Sequence, residues 1–192
     1  MPDVTRDQTA AGLGLVDPGG ALVAYANPPA GQAVIRGRAN DAHFTEASTQ
    51  ALGIALPVDS KKTAKAVELT IFRLGYDQWL AVHEVNRDFG QQFEKIDSLR
   101  AIDVGSARTR ISLRGEAVRD LLAVGVKIDL RPKSFPVGTF AQTPAGNANT
   151  IIHASAIDRF DVYVSRSFAS SWRVWLEHAG QEFGLNLAKV ER

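Results

Sequence analysis

Four histidines, His43, His83, His153 and His178, and a serine run at Ser165, Ser167, Ser170 and Ser171 are the side chains best suited to acid–base or nucleophilic chemistry. No two histidines stand at metal-ligand spacing, and with no cysteine to complete a site, no metal centre is expected. His83 and His153 fall in strand-like stretches, where a surface or hydrogen-bonded interior role is expected. His178 lies near the end of an amphipathic helix, where a partly charged imidazole favours the C-terminal dipole. The serines open that same helix, and N-capping accounts for them more simply than a nucleophile does.

Other signatures of chemistry fail on context. Gly12-Leu13-Gly14 hints at a dinucleotide loop, but residue 17 is Asp and no strand precedes it. There is no Walker motif and no G-x-S-x-G elbow. Asp158 and Asp161 bracket a hairpin turn and its strand, where Asp is an ordinary turn former. Arg108, Arg110, Arg114 and Arg119, with Arg131 and Lys133, form one basic concentration. It could meet a phosphate, a polyglutamyl tail or an acidic partner face. A solvated face balanced by nearby acids is the plainer account. No residue is singled out for catalysis or for holding a cofactor.

The elements that would position these side chains come in two similar runs. Ala33–Arg36 reads as a strand, and Asn40 or Asp41 can cap a helix through Leu52, with Phe44, Ala47, Ala51 and Leu52 inward and Gly53 as the stop. Pro57 opens a loop; Val67, Leu69 and Ile71 alternate as a strand; Trp79–Val82 returns as the second arm of a hairpin. A helix is expected from about Arg87, with Phe89, Phe93, Ile96 and Leu99 on one face. The second run starts with Thr109, Ile111 and Leu113 alternating with Arg110 and Ser112, then a helix over 116–124 with Val118, Leu121 and Leu122 inward. Pro132 and Pro136 punctuate a loop, and strands follow near 138–143, 149–155 and 159–165. The last helix carries Phe168, Trp172, Trp175, Leu176, Ala179 and Phe183 at helical spacing, a stripe that requires burial.

Arg36-Gly37 matches Arg114-Gly115, Pro57 matches Pro132, and Asp77-x-Trp79 matches Asp158-x-Phe160. The expected fold is therefore α+β: duplicated strand-helix-hairpin-helix units, about 31–100 and 101–184, packed as one compact body behind a lead-in segment of residues 1–30.

Composition sets the outer limits. The chain has 192 residues, 45% hydrophobic and 22% charged, the balance of a globular protein with a core of ordinary size. A formal net charge of +1 provides no field for nucleic acid or an anionic membrane, and neither is expected as a partner. No apolar run is long enough to cross a bilayer, and the polar break at Asp17–Gly20 argues against a signal peptide. With no cysteine, a cytoplasmic location is the natural reading.

The run L-R-G-x-x-x-x-x-L-L-x-x-G-x-x-x-D-L-R-P-x-x-F-P-x-G-x-x-A-Q-T, from Leu113 to Thr143, resembles the gamma subunit of heterotetrameric sarcosine oxidase. V-S-R-S-F-A-S-S-W at 164–172 extends the likeness, and Arg36-Gly37, the L-G-x-x-L-P turn at Leu52–Pro57 and L-G-x-D-x-W-L at 74–80 add looser matches. The resemblance implies a folate-binding fold like that of the glycine-cleavage T protein. It also implies a complex with alpha, beta and delta subunits that demethylates sarcosine to glycine, produces hydrogen peroxide and passes one-carbon units to tetrahydrofolate. FAD, FMN, NAD and tetrahydrofolate are expected in the partner subunits, with none in this chain, and the chain itself is expected to be noncatalytic. A folate-dependent aminomethyltransferase, or a folate-binding protein acting alone, is the alternative. Arg131, Phe135 and Tyr163 are the interface candidates, taken as exposed.

Overall fold

A computed structural model describes residues 22–27, 30–85, 88–93, 99–105 and 107–185. It is a mixed α/β structure with two five-stranded antiparallel sheets and few helices. The chain divides into two compact units: residues 29–106, and residues 1–28 together with 107–192.

In the first unit, strand β2 (Gly31–Arg36) leads into helix α1 (Ala42–Leu52), then a meander of β3 (Thr63–Lys65), β4 (Leu69–Arg73) and β5 (Gln78–His83), and finally β6 (Ala101–Asp103). The sheet order is β3-β4-β5-β2-β6. Asp41 caps α1 by accepting from the N–H groups of His43 and Phe44, and Gly53 ends it in the left-handed conformation (φ 68°), as the sequence predicts. One sheet face packs Ala33, Ile35, Ile71, Trp79 and Ala81 against Phe44 and Leu52 of α1 and against Phe89, Phe93 and Leu99. The opposite face is buried as well, with Phe72, Leu80 and Val82 at or below 1% exposure.

That two-sided burial corrects the expected alternation. β4 begins at Leu69, and Val67, expected inside, is 95% exposed. Between 86 and 99, where one long helix is expected, the described residues form a single 3₁₀ turn at Gln91–Phe93; residues 86–87 and 94–98, Ile96 included, lie outside the described residues.

The second unit takes its first strand from the segment read as a lead-in: β1 (Leu22–Ala26) pairs along β7 (Arg108–Gly115) from Leu22 opposite Gly115 to Ala26 opposite Ile111. Leu22 and Ala24, both fully buried, sit in the core beside Ile111 and Leu113, so burial of apolar area holds the strand in place. After β7 come helix α2 (Val118–Ala123), a long loop, β8 (Phe140–Ala145), β9 (Ala148–Ala156), β10 (Arg159–Ser165) and helix α3 (Ala169–Gly180). The order β8-β9-β10-β7-β1 repeats that of the first sheet, with a three-strand meander, the leading strand and then a borrowed edge strand. Pro144, which has no N–H to give, lies on the edge strand β8, where the loss costs least.

Trp172 and Leu176 of α3 are fully buried in the core that the sheet and α2 share, and the Trp172 indole N–H donates to the Ala145 carbonyl at 3.0 Å. Trp175 lies over Gly125 and Gly146, two backbones that approach so closely that a Cβ on either would run into its ring. The expected stripe is narrower at its start, because Phe168 is 49% exposed.

Candidate functional site

The strongest convergence of chemistry-bearing side chains lies on the face of the second sheet opposite its apolar core. Ser112 on β7 stands directly across from Asp161 on β10, which in turn faces His153 on β9. The Ser112 hydroxyl donates to Asp161 Oδ1 at 2.5 Å and accepts from the Asn27 side-chain amide at 2.9 Å. Asn27 ties the strand end to β7 again, its backbone N–H donating to the Arg110 carbonyl at 2.9 Å. His153 Nδ1 is 3.9 Å from Asp161 Oδ2, and the Arg159 guanidinium is 3.8 Å from Oδ1. Asn27, Ser112, His153 and Asp161 are all buried.

The residue types are those of a nucleophilic triad, but the order is wrong. A nucleophilic serine must give its proton to an imidazole nitrogen that a carboxylate holds from behind. Here the carboxylate stands between serine and histidine, accepts the serine proton directly and is closed from solvent. The geometry makes a buried hydrogen-bonded brace from Asn27 through Ser112 to Asp161, with the His153 imidazole beside the Asp161 carboxyl, and buried polar groups persist where they find such partners. His153 thus takes the interior role expected of it. Asp161, expected as a turn former, is instead a mid-strand acceptor, while Asp158 does sit in the turn.

The basic concentration around 108–133 is taken apart by the fold. Arg110 is buried, and burial lowers the pKa of Arg108. Arg119 donates to the carbonyls of Leu130, Phe135 and Ile157, and its guanidinium lies 4.8 Å from the centre of the Phe160 ring. That stitches the Pro loop and the β9–β10 turn to one cation. Arg131 is exposed and bound to Asp129, its NH2 at 2.6 Å from Oδ2, while Ser134 donates to the same carboxylate at 2.7 Å. These bonds hold the Asp129 pKa far below the ordinary carboxylate range and raise that of Arg131.

Two of the three interface candidates are not exposed. Phe135 is 4% exposed and stacks on Phe160 with ring centres 6.1 Å apart, because the turn after Arg131 folds it back into the core. Tyr163 is 2% exposed, on the central strand β10 between β7 and β9. Arg131 alone reaches solvent.

The serines do not cap α3. A 3₁₀ turn at Arg166–Phe168 feeds directly into the helix, so Phe168 at the cap already has helix-like angles and no side chain caps it. Ser171 instead donates back to the Phe168 carbonyl at 3.0 Å. His178 does lie in the last turn of α3. His83 is 3.8 Å from Glu68 and packs on Phe89. Among the described residues, no group of three His, Asp or Glu side chains is placed to hold a metal ion, and no helix is long and apolar enough to cross a membrane.

A second feature has no counterpart in the sequence reading. The first unit carries an open cleft of about 770 Å³ lined by Arg36, Arg38, Arg100, His43, Asp77 and Ile102, among others. Its arginines come from the end of β2, the β2–α1 connection and the approach to β6, segments 64 residues apart at the extremes and invisible as a cluster in the linear chain.

The architecture is of a kind seen in solved structures. The aminomethyltransferase T of the glycine cleavage system from Bartonella henselae is similar over 94% of this chain and 49% of its own, with a TM-score of 0.55 at 11% identity. This chain thus spans about half of that enzyme's length. Heterotetrameric sarcosine oxidase from Corynebacterium sp. U-96, solved in complex with pyrrole 2-carboxylate, contains a chain similar over 96% of both chains, with a TM-score of 0.81 at 22% identity. No curated protein matches in sequence. The family model of the sarcosine oxidase gamma subunit matches residues 36–182, and this chain belongs to that family.

Proposed function

We propose that the chain is a noncatalytic structural subunit of a flavin-dependent sarcosine oxidase complex. Such a complex demethylates sarcosine oxidatively to glycine, makes hydrogen peroxide and delivers the one-carbon unit to tetrahydrofolate. The family match over residues 36–182 carries this reading. The buried brace supports it, because Ser112 and Asp161 are spent on each other inside the sheet and His153 is closed from solvent beside them. On this reading FAD, FMN, NAD and tetrahydrofolate belong to the larger alpha and beta partners, a delta subunit completes the assembly, and the whole works in the cytoplasm.

The two units are read as copies of one strand-helix-hairpin-helix plan. Their common strand order supports this, as does one backbone bond made at the same place in each. The test is to purify the tagged full chain from its native host. Expected is co-elution with larger flavin-bearing chains and sarcosine-dependent peroxide production by the eluate. A stable monomer that recovers no flavoprotein overturns the reading.

A further inference from the structure

We propose that the arginine cleft of the first unit is a docking surface for an acidic segment of a partner subunit, an inference that rests on the subunit reading above. Three guanidinia, Arg36, Arg38 and Arg100, line it, and all three are exposed. Among the described residues none of them forms an ion pair or a side-chain hydrogen bond. Other arginines of the chain are engaged: Arg73 and Arg119 on carbonyls, Arg131, Arg159 and Arg173 on carboxylates.

The acids of the cleft do not balance these charges. Asp41 is held by the first N–H groups of α1, at 3.0 Å from His43 N and 3.3 Å from Phe44 N, and with Asp77 it sets two carboxylates against three guanidinia. The lining thus carries one more cation than it has anions, at a place where the guanidinia are free to meet an acidic face.

Exposure of the lining decides between a small anion and a protein. A built site for a small anion withdraws its polar groups from water, whereas here every arginine head is solvated and would hold a lone carboxylate or phosphate only weakly. A polypeptide laid across the cleft would itself exclude water and strengthen each pair. The rim also offers an apolar anchor, since Ile102 is 57% exposed on β6, the edge strand of the sheet. Arginines beside an exposed aliphatic side chain suit a partner face that carries Asp or Glu next to apolar residues.

The test uses the full chain, its Arg36→Glu/Arg38→Glu/Arg100→Glu variant and, as a control, Arg166→Glu at an exposed position outside the cleft, each checked for an unchanged melting transition. Hexaglutamate peptide is titrated by fluorescence anisotropy at low and at physiological salt. Expected is saturable binding by the natural chain and the control, weakened by salt and reduced about tenfold or more in the triple variant, as for loss of close charge pairs. If the triple variant does not keep its fold, Arg→Lys replacement at the three sites serves instead: retained binding supports the charge-based surface, and unaltered binding after Arg→Gln replacement overturns it. No binding, equal binding by the triple variant, or competition by inorganic phosphate stronger than that of chloride at equal ionic strength also overturns the proposal. In the purified complex the triple variant is expected to release its partners at lower salt than the natural chain, and identical release overturns the docking role. If the natural chain recovers no flavoprotein, the subunit reading fails and the docking role fails with it, while the peptide titration still decides the chemistry of the cleft.

Discussion

The backbone N–H of Gly37 donates to the carbonyl oxygen of Asp77 at 3.0 Å, closing the end of β2 onto the β4–β5 turn. Gly115 does the same to Asp158 at 2.9 Å, at the end of β7 and the β9–β10 turn. In each unit the leading strand leaves the sheet through a glycine pinned to the turn of a neighbouring hairpin.

The two glycines are required for different reasons. Gly115 adopts φ 135°, a region closed to side chains, and a Cβ on Gly37 would strike the Phe44 ring. Gly115→Ala and Gly37→Ala are each expected to lower unfolding free energy by about 1–3 kcal/mol. Urea denaturation measures this, and unchanged midpoints would contradict it.

Ser112→Ala removes both the donor to Asp161 and the acceptor for Asn27 while leaving a buried carboxylate behind. A loss of about 1–3 kcal/mol is expected from the unpaired groups. Asn27→Ala and Ser112→Ala should couple in a double-mutant cycle, since both act through one hydroxyl. Strict additivity would dissolve the brace.

Arg119→Ala is expected to cost about 2–3 kcal/mol by leaving loop carbonyls without a donor and uncovering Phe160. Arg119→Lys should recover only part, because an ammonium cannot span several carbonyls and lie flat on a ring at once. Full rescue by lysine would argue for charge alone.

Asp129 sets a pH signature. Its folded pKa is depressed, first by the Arg131 side-chain bond and then by Ser134, from an ordinary value of 3.8. Its contribution to stability is therefore complete above the unfolded value and drains away as pH falls from there through the folded one. The stability gap between the natural chain and Asp129→Asn should be constant near neutrality and narrow below about pH 4, the ordinary carboxylate range. A gap that widens in acid would reverse the sign.

Local signals in the chain proved accurate where a backbone rule decided the outcome. The cap, settled on Asp41 of the two candidates Asn40 and Asp41, the stop at Gly53 and the strand 159–165 all follow from short-range chemistry. Readings that needed to know what covers a surface fared worse. Phe135 sits between two prolines and reads as loop, yet Arg119 from α2 gathers that loop and turns the ring inward. Tyr163 alternates with Val162 and Val164 as an outward residue would, but both faces of its sheet are closed to solvent there.

The brace and the cleft were illegible because their members meet only through long-range folding, and for the brace through strand register. Ser112, His153 and Asp161 lie on three strands, and pairing alone puts them in one row. Leu22–Ala26 gave an apolar signal, but its partner lies more than 80 residues along the chain, beyond any local periodicity.

β1 precedes β2 yet pairs with β7, and β6 precedes β7 yet pairs with β2. During synthesis, then, the first sheet lacks its edge until residues 101–103 leave the ribosome, and residues 22–26 have no strand to join until 108–115 follow. Closing that span carries a loop entropy that grows only slowly with length, so the delay is one of timing more than of energy. The first unit is complete once β6 has emerged, but the second cannot begin its sheet until β7 follows, and a translation pause before residue 108 would leave Leu22 and Ala24 without their hydrophobic partners, within reach of chaperones or of other unfinished chains.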